Sequence, residues 1–434
     1  MKRSHWLWLH RWVGLVLAGF LLVAGLTGSL LAFYRPLDEA FAAALLKAPQ
    51  PVGAVALDPL VVRERLLRRH AGLRIDAVPL SVEPGRSLAF RVQAAPGAAA
   101  ALAIDELYVD PWTGRELGGR LWGDPAQGRV NVMPFLYRLH YALLAPSWGR
   151  TVLGLVALLW SLDCVVGAYL TLPLRMPRRE GPLVRQGRGW WARWRQAWCV
   201  RRGAGYRSTV DLHRAGGLWL WALLFVIAWS GVSFNLAPVY RPVMAALLGP
   251  WEAAPLPQTA GLADGVEPDW PAARAHARAL MAAAAGAEGI AVGREESLAL
   301  DRGAGTWRYV VHSDRDVGPQ RGQSTLLFDA GSGALLAVQW PTGQQAARTA
   351  TTWLTALHTG RVGGLPLRLL LAATGLVVAM LSVTGALIWA RKRAGRRCLQ
   401  QTRALGRPES RAAGMDWWGE AASARRPAAE HRRR

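Results

Sequence analysis

The chain has little cysteine. Only Cys164, Cys199 and Cys398 occur in 434 residues, and none falls in 35–149 or 237–365. No structural disulfide is therefore expected in those two segments. There is no Cys-x-x-Cys-His, so covalent c-type haem attachment is not expected. No Gly-x-Gly-x-x-Gly unit lies in a strand–turn–helix context, and no other nucleotide signature is present. Acidic residues are also scarce: 29 Asp and Glu face 52 Lys and Arg, a formal charge of +23. The excess is localised. Residues 173–212 hold ten Arg against two acids, and 391–434 hold thirteen Lys or Arg against four. Both segments flank apolar runs, which is how cytoplasmic loops are marked. That distribution argues against nucleic acid as the partner.

What the chain does have is long apolar runs. About 20 apolar residues cross a bilayer, and four stretches qualify: roughly 11–34, 150–172, 213–236 and 366–390. The first is too long for a signal-peptide core and has no small-residue cleavage site after it, so it reads as a span. The expected order is N-terminus and first span (1–34), an outer segment (35–149), the second span (150–172) and a basic cytoplasmic loop (173–212). The third span (213–236), a second outer segment (237–365), the fourth span (366–390) and a basic cytoplasmic tail (391–434) follow. Both termini are placed inside. In the loop, Trp190, Trp191, Trp194 and Trp198 fall on one helical face with Arg193 and Arg195 at its edges, the pattern of a helix in the headgroup layer.

The two halves repeat in parallel. His10 opens one span as Leu-His-Arg-Trp-Val-Gly-Leu, and His213 another as Leu-His-Arg-Ala-Gly-Gly-Leu. Thr27-Gly28 and Ser230-Gly231 follow at the same offset. His140 and His358 are each followed by an arginine ten residues on (Arg150, Arg368) and a glycine twenty-seven on (Gly167, Gly385). Imidazole near lipid is costly without a task, so four matched histidines suggest ligands. The ordinary alternative for each alone is an interfacial side chain bonded to a carbonyl. The outer segments repeat more loosely. Residues 58–70 and 270–283 read as helices. Residues 74–82, 88–93 and 306–312 read as strands, and 107–119 and 326–338 as hairpins closed by Asp-x-x-[Thr/Ser]-Gly. Each segment thus reads as one helix on a small antiparallel sheet.

Together these openings, the later Thr/Ser-Gly pairs and the hairpin motif resemble the PepSY-associated transmembrane family, over roughly residues 5–395. Its members include ferric-siderophore reductases of the bacterial inner membrane. The resemblance implies an α-helical integral membrane protein with four transmembrane helices and two small α+β PepSY-like periplasmic domains, in an internal parallel duplication. It also implies b-type haem held by histidines, a role carried only to His10, His140, His213 and His358. His5, His70, His276, His312 and His431 do not match. Asp163 within the second span, and the 391–434 tail, depart from the family's pattern.

Two axial imidazoles hold haem iron with no open position, which suits electron transfer. Depth sorts the ligands into His10 with His213 near the inner face and His140 with His358 near the outer, so two haems are expected. Arg150 and Arg368 sit at outer span ends, against the positive-inside bias, and are candidates for haem propionates or a substrate anion. Arg11, Arg214, Arg138 and Arg361 also lie beside the histidines. Small residues at Gly14, Gly167, Gly216, Gly217 and Gly385 suit a flat macrocycle or close helix packing. Asp163 is open to a proton role or to pairing. The implied activity is reduction of ferric-siderophore iron in the periplasm, because ferrous iron is held less tightly by hard oxygen ligands. Electrons would come from a quinol or a separate reductase. The alternative is a non-enzymatic PepSY membrane protein acting in assembly, regulation or sensing. A transporter fits less well, since no span shows matched Gly/Pro interruptions.

Overall fold

The computed structural model describes residues 2–97, 102–145, 147–174, 189–201, 203, 205–251, 261–262 and 266–405. The expectations for 175–188 of the basic loop and for 406–434 of the tail lie outside the described residues. Helix α1 (Arg3–Leu31) opens the chain as an apolar span. Helix α2 (Pro59–Arg69) starts where the sequence dictates: Pro59 presets the first turn and the Asp58 carboxylate accepts the Leu60 N–H at 2.8 Å. Strands β1 (Ala77–Pro79), β2 (Leu88–Arg91), β3 (Glu106–Val109) and β4 (Glu116–Arg120) follow. Then come α3 (Val132–Ala142) and the second span α4 (Ser147–Thr171).

In the second half, α5 (Tyr206–Trp219) and α6 (Trp221–Asn235) stand where one span was expected, and they bend by 70° at the break. Gly216 and Gly217 weaken the helix just before it. The indoles on either side are tied to different carbonyls, Trp219 to Trp198 and Trp221 to Cys164. Helix α1 has no such bend, so the repeat is unequal here. Helix α7 (Trp270–Glu288) is capped by Asp269 and ends at Gly289 in the left-handed conformation. Strands β5 (Val292–Asp301), β6 (Thr306–Ser313), β7 (Ser324–Asp329) and β8 (Leu335–Gln339) lead to α8 (Ala346–Thr359) and α9 (Gly364–Leu405). Met1–Ile388 forms one compact unit, and the end of α9, from Trp389, belongs to a second.

Among the described residues, three helices are long and apolar enough to cross a membrane, and the bent α5–α6 pair makes a fourth if it is one span. They carry broad exposed apolar faces, with Val16 65%, Leu162 58% and Leu376 57% exposed, which fit a lipid bilayer. The spans of the two halves interlock through small residues. Gly25 of α1 and Gly375 of α9 meet so closely that a Cβ at Gly25 would lie 2.6 Å from the Gly375 carbonyl oxygen. Across the bundle, a Cβ at Gly231 would lie 3.1 Å from the Ala157 methyl.

The outer segments, read as separate helix-on-sheet units, share a sheet. Its order is β8-β7-β6-β5-β1, antiparallel throughout, with Val78 of β1 opposite Leu298 of β5. A second sheet runs β2-β3-β4. One core joins both segments, from Leu60, Ile75 and Phe90 to Trp270, Trp307, Phe328 and Trp340. Merging them puts the apolar faces of both segments into one core. The Arg63 guanidinium lies 4.1 Å from the Trp270 ring centre, and Arg302 bonds Asp76 at 2.9 Å, which pins the halves together. The repeated hairpin motif has a local cause. Asp110 accepts the Trp112 N–H and the Thr113 hydroxyl, each at 2.8 Å, ahead of Gly114 at φ 73°. Asp329 likewise accepts from Ser332 ahead of Gly333 at φ 72°. The motif is turn chemistry rather than a site.

Candidate cofactor site

His10 sits on α1 and His213 on α5, and their ring centres lie 6.3 Å apart. His140 closes α3 and His358 closes α8, with ring centres 6.4 Å apart. Seventeen residues of α1 separate His10 from Thr27, which bonds His140, so the pairs stand about 25 Å apart along the helix axis.

Each histidine is held by the other span of its own half. Thr27 of α1 bonds His140 Nδ1 at 3.0 Å, and Ser230 of α6 bonds His358 Nδ1 at 2.6 Å. Thr384 of α9 bonds His213 Nδ1 at 3.0 Å, and Asp163 of α4 bonds His10 Nδ1 at 2.8 Å. These bonds fix the tautomers. A hydroxyl has one hydrogen, and each of the three spends it on helix carbonyls behind it: Thr27 on Val23, Ser230 on Val226 and Thr384 on Met380. The hydroxyl oxygen can then only accept, so Nδ1 carries the proton. A carboxylate at Asp163 also only accepts. All four Nε2 atoms are left with a lone pair, and none has a hydrogen-bond partner among the described residues. This is how ligating imidazoles are oriented.

Three of the four matched glycines lie against an imidazole, while Gly231 faces Ala157. A Cβ at Gly28 would lie 3.1 Å from His140 Cε1, one at Gly385 would lie 3.3 Å from His213 Cε1, and one at Gly167 would lie 3.4 Å from His10 Cε1. They let the imidazoles lie against the helix backbone. Gly216 instead faces Met380, and Gly14 has nothing within 4 Å.

The donor set can be tested against a metal cofactor. Two imidazoles facing one ion place their ring centres about 6.2 Å apart, given about 2 Å per metal–nitrogen bond and about 1.1 Å from ring centre to nitrogen. Both pairs match that spacing. Their planes meet at 60° and 74°. No group of three or more His, Cys, Asp or Glu suited to a bare ion occurs among the described residues. The pairs therefore suit a metal that brings its own equatorial ligands, as haem does.

The arginines are less central. Arg150 donates to the Phe234 carbonyl at 3.3 Å, and the Phe234 ring lies 5.2 Å from His358. Arg368 packs on Gly360, two residues after His358. Neither bonds a histidine. Arg138 donates to the Gly123 carbonyl, and Arg214 to Asp211 and to the Gln196 carbonyl. The tryptophan segment is a short helix, Trp190–Arg195, with a turn to Trp198. Trp194 donates to Thr171 and Arg193 to the Leu174 carbonyl, so the segment is tied to the end of α4. The sequence reading noted Thr27 and Ser230 only as repeats and passed over Thr384. A hydroxyl directly before three of the four matched glycines, Gly28, Gly231 and Gly385, was the available signal.

Apolar helices with imidazole pairs at two levels, joined to a shared sheet, define a polytopic membrane protein. The family follows from the sequence match: the chain belongs to the PepSY-associated TM region family, whose model covers residues 7–392. No curated protein matches the chain significantly.

Proposed function

We propose that this chain is a haem-binding electron-transfer protein of the bacterial inner membrane that reduces ferric-siderophore iron in the periplasm for iron uptake. The observation that carries the reading is the pair of histidine pairs, each at metal-bridging spacing with Nδ1 engaged and Nε2 free. His10 and His213 would hold one b-type haem, and His140 and His358 a second. Bound haem would supply one-electron chemistry. Thr27, Ser230, Thr384 and Asp163 keep the Nδ1 protons in place, so each imidazole stays in its ligating tautomer. Arg150 and Arg368 provide positive charge near the His140–His358 pair for propionates.

The basic segments flanking the spans support cytoplasmic termini, with the shared sheet on the periplasmic side. A ferric chelate would then arrive near the His140–His358 pair, and electrons would enter from a quinol or a separate reductase. Purified protein should give a reduced-minus-oxidised spectrum with b-type α-band absorption and two haems per chain. Dithionite-reduced protein should then pass electrons to a ferric siderophore. A folded, colourless preparation would favour a non-enzymatic role in assembly, regulation or sensing.

A further inference from the structure

The four imidazoles are not held alike. Three give their Nδ1–H to a neutral hydroxyl, and His10 alone gives it to a carboxylate, Asp163, at 2.8 Å. The asymmetry has a local origin. In the second half the acceptor, Thr384, directly precedes Gly385. In the first half Val166 precedes Gly167, with no polar atom to offer. Asp163 stands three residues earlier, on the same helix face, and supplies the acceptor instead. Its side chain is 12% exposed, so its charge is little screened by solvent.

We propose that Asp163 is a positioning residue that makes the His10–His213 site the more reducing of the two, so that electrons run from it toward His140–His358. This rests on the haem reading above. An imidazole that donates Nδ1–H to a carboxylate gives more electron density to a metal at its Nε2 and favours the oxidised, more positive state. The three hydroxyl partners exert no such pull. For each electron passed, one site is oxidised and the other reduced. The Nδ1 proton stays on His10, so no proton has to cross. The electron donor at the first site is of the quinol or reductase class.

The test is a redox titration of the full-length protein in lipid nanodiscs, followed in the α band. Wild type should show two components. Asp163→Asn should raise the lower midpoint by about 59 mV, the equivalent of a roughly tenfold change in the one-electron equilibrium when a charged acceptor becomes neutral. The upper component should stay in place, and Asp163→Glu should restore the lower midpoint. Asp163→Leu with Val166→Thr, which copies the Thr384 arrangement, should match Asp163→Asn and serves if that variant loses its haem. Near-infrared magnetic circular dichroism of the wild type needs no variant, and one of its two haems should show imidazolate character. Full haem with unchanged midpoints, or two identical imidazole signatures, overturns the proposal alone. Absence of haem from folded wild type overturns the reading beneath it.

Discussion

The His140–His358 pair and the His10–His213 pair have nearly the same spacing, 6.4 and 6.3 Å, yet they are assembled differently. The first is built from two short helices, α3 and α8, that end at their histidines and dock on α1 and α6 through Thr27 and Ser230. Both partners are hydroxyls, so the two halves are near copies there. The second is built from span openings, on a straight α1 and on an α5 that bends away after Trp219. Its partners are a hydroxyl on one side and a carboxylate on the other. The two levels share their ring spacing and an engaged Nδ1 on every imidazole. They differ in the charge of the groups behind the imidazoles.

The comparison can be broken most directly at the ligands. His140→Ala with His358→Ala should remove one haem of two, and His10→Ala with His213→Ala the other, as read by pyridine haemochrome assay. If His10→Ala removed the haem that His140→Ala removes, the pairing would be wrong. Next in size is Gly28→Val. Its branched side chain would press on His140, since even a Cβ stands 3.1 Å from Cε1. The His140–His358 site should empty while the other keeps its spectrum. Removing an acceptor does less: Thr27→Ala should weaken haem retention at the same site by roughly 10- to 100-fold, and Thr27→Ser should restore it.

The smallest expected effect on the pairs comes from the extramembrane sheet. Burial alone would raise the Glu295 carboxyl. Its bonds to Arg278, Arg274 and Tyr309 outweigh that and bring it down to about 2. A depressed carboxylate stabilises the fold above its unfolded value, near 4.3, and that stability disappears as the pH falls through about 2. Glu295→Gln should therefore lower the thermal midpoint at pH 7, with the difference from wild type shrinking between about pH 4 and pH 2. Haem content at both pairs should not change. Loss of haem in this variant would mean that the sheet holds the histidines in place.

Much of the candidate site was legible before any coordinates. His10, His140, His213 and His358 stand out because a parallel repeat sets matched residues against each other, and span depth sorts them into two levels. The extramembrane helices and hairpins were legible because their signals are local: Asp58-Pro59 starts a helix, and Asp329 with Gly333 closes a turn. The acceptors were harder. Thr384 lies 171 residues from His213, and Asp163 lies 153 from His10. Nothing in a serine, threonine or aspartate within an apolar run says which ring it will meet.

The sequence by itself determined the spans, the repeat, the ligand-type residues and the turns, because periodicity, hydropathy and cap chemistry act over a few residues. Only the tertiary structure decided the rest. It merged two outer segments into one sheet and core, because β1 of the first pairs with β5 of the second, far along the chain. It bent the α5–α6 pair at Leu220, between two indoles bonded to different carbonyls. It also set a carboxylate behind one imidazole and hydroxyls behind three, because helix crossing and rotation choose which side chains face each ring.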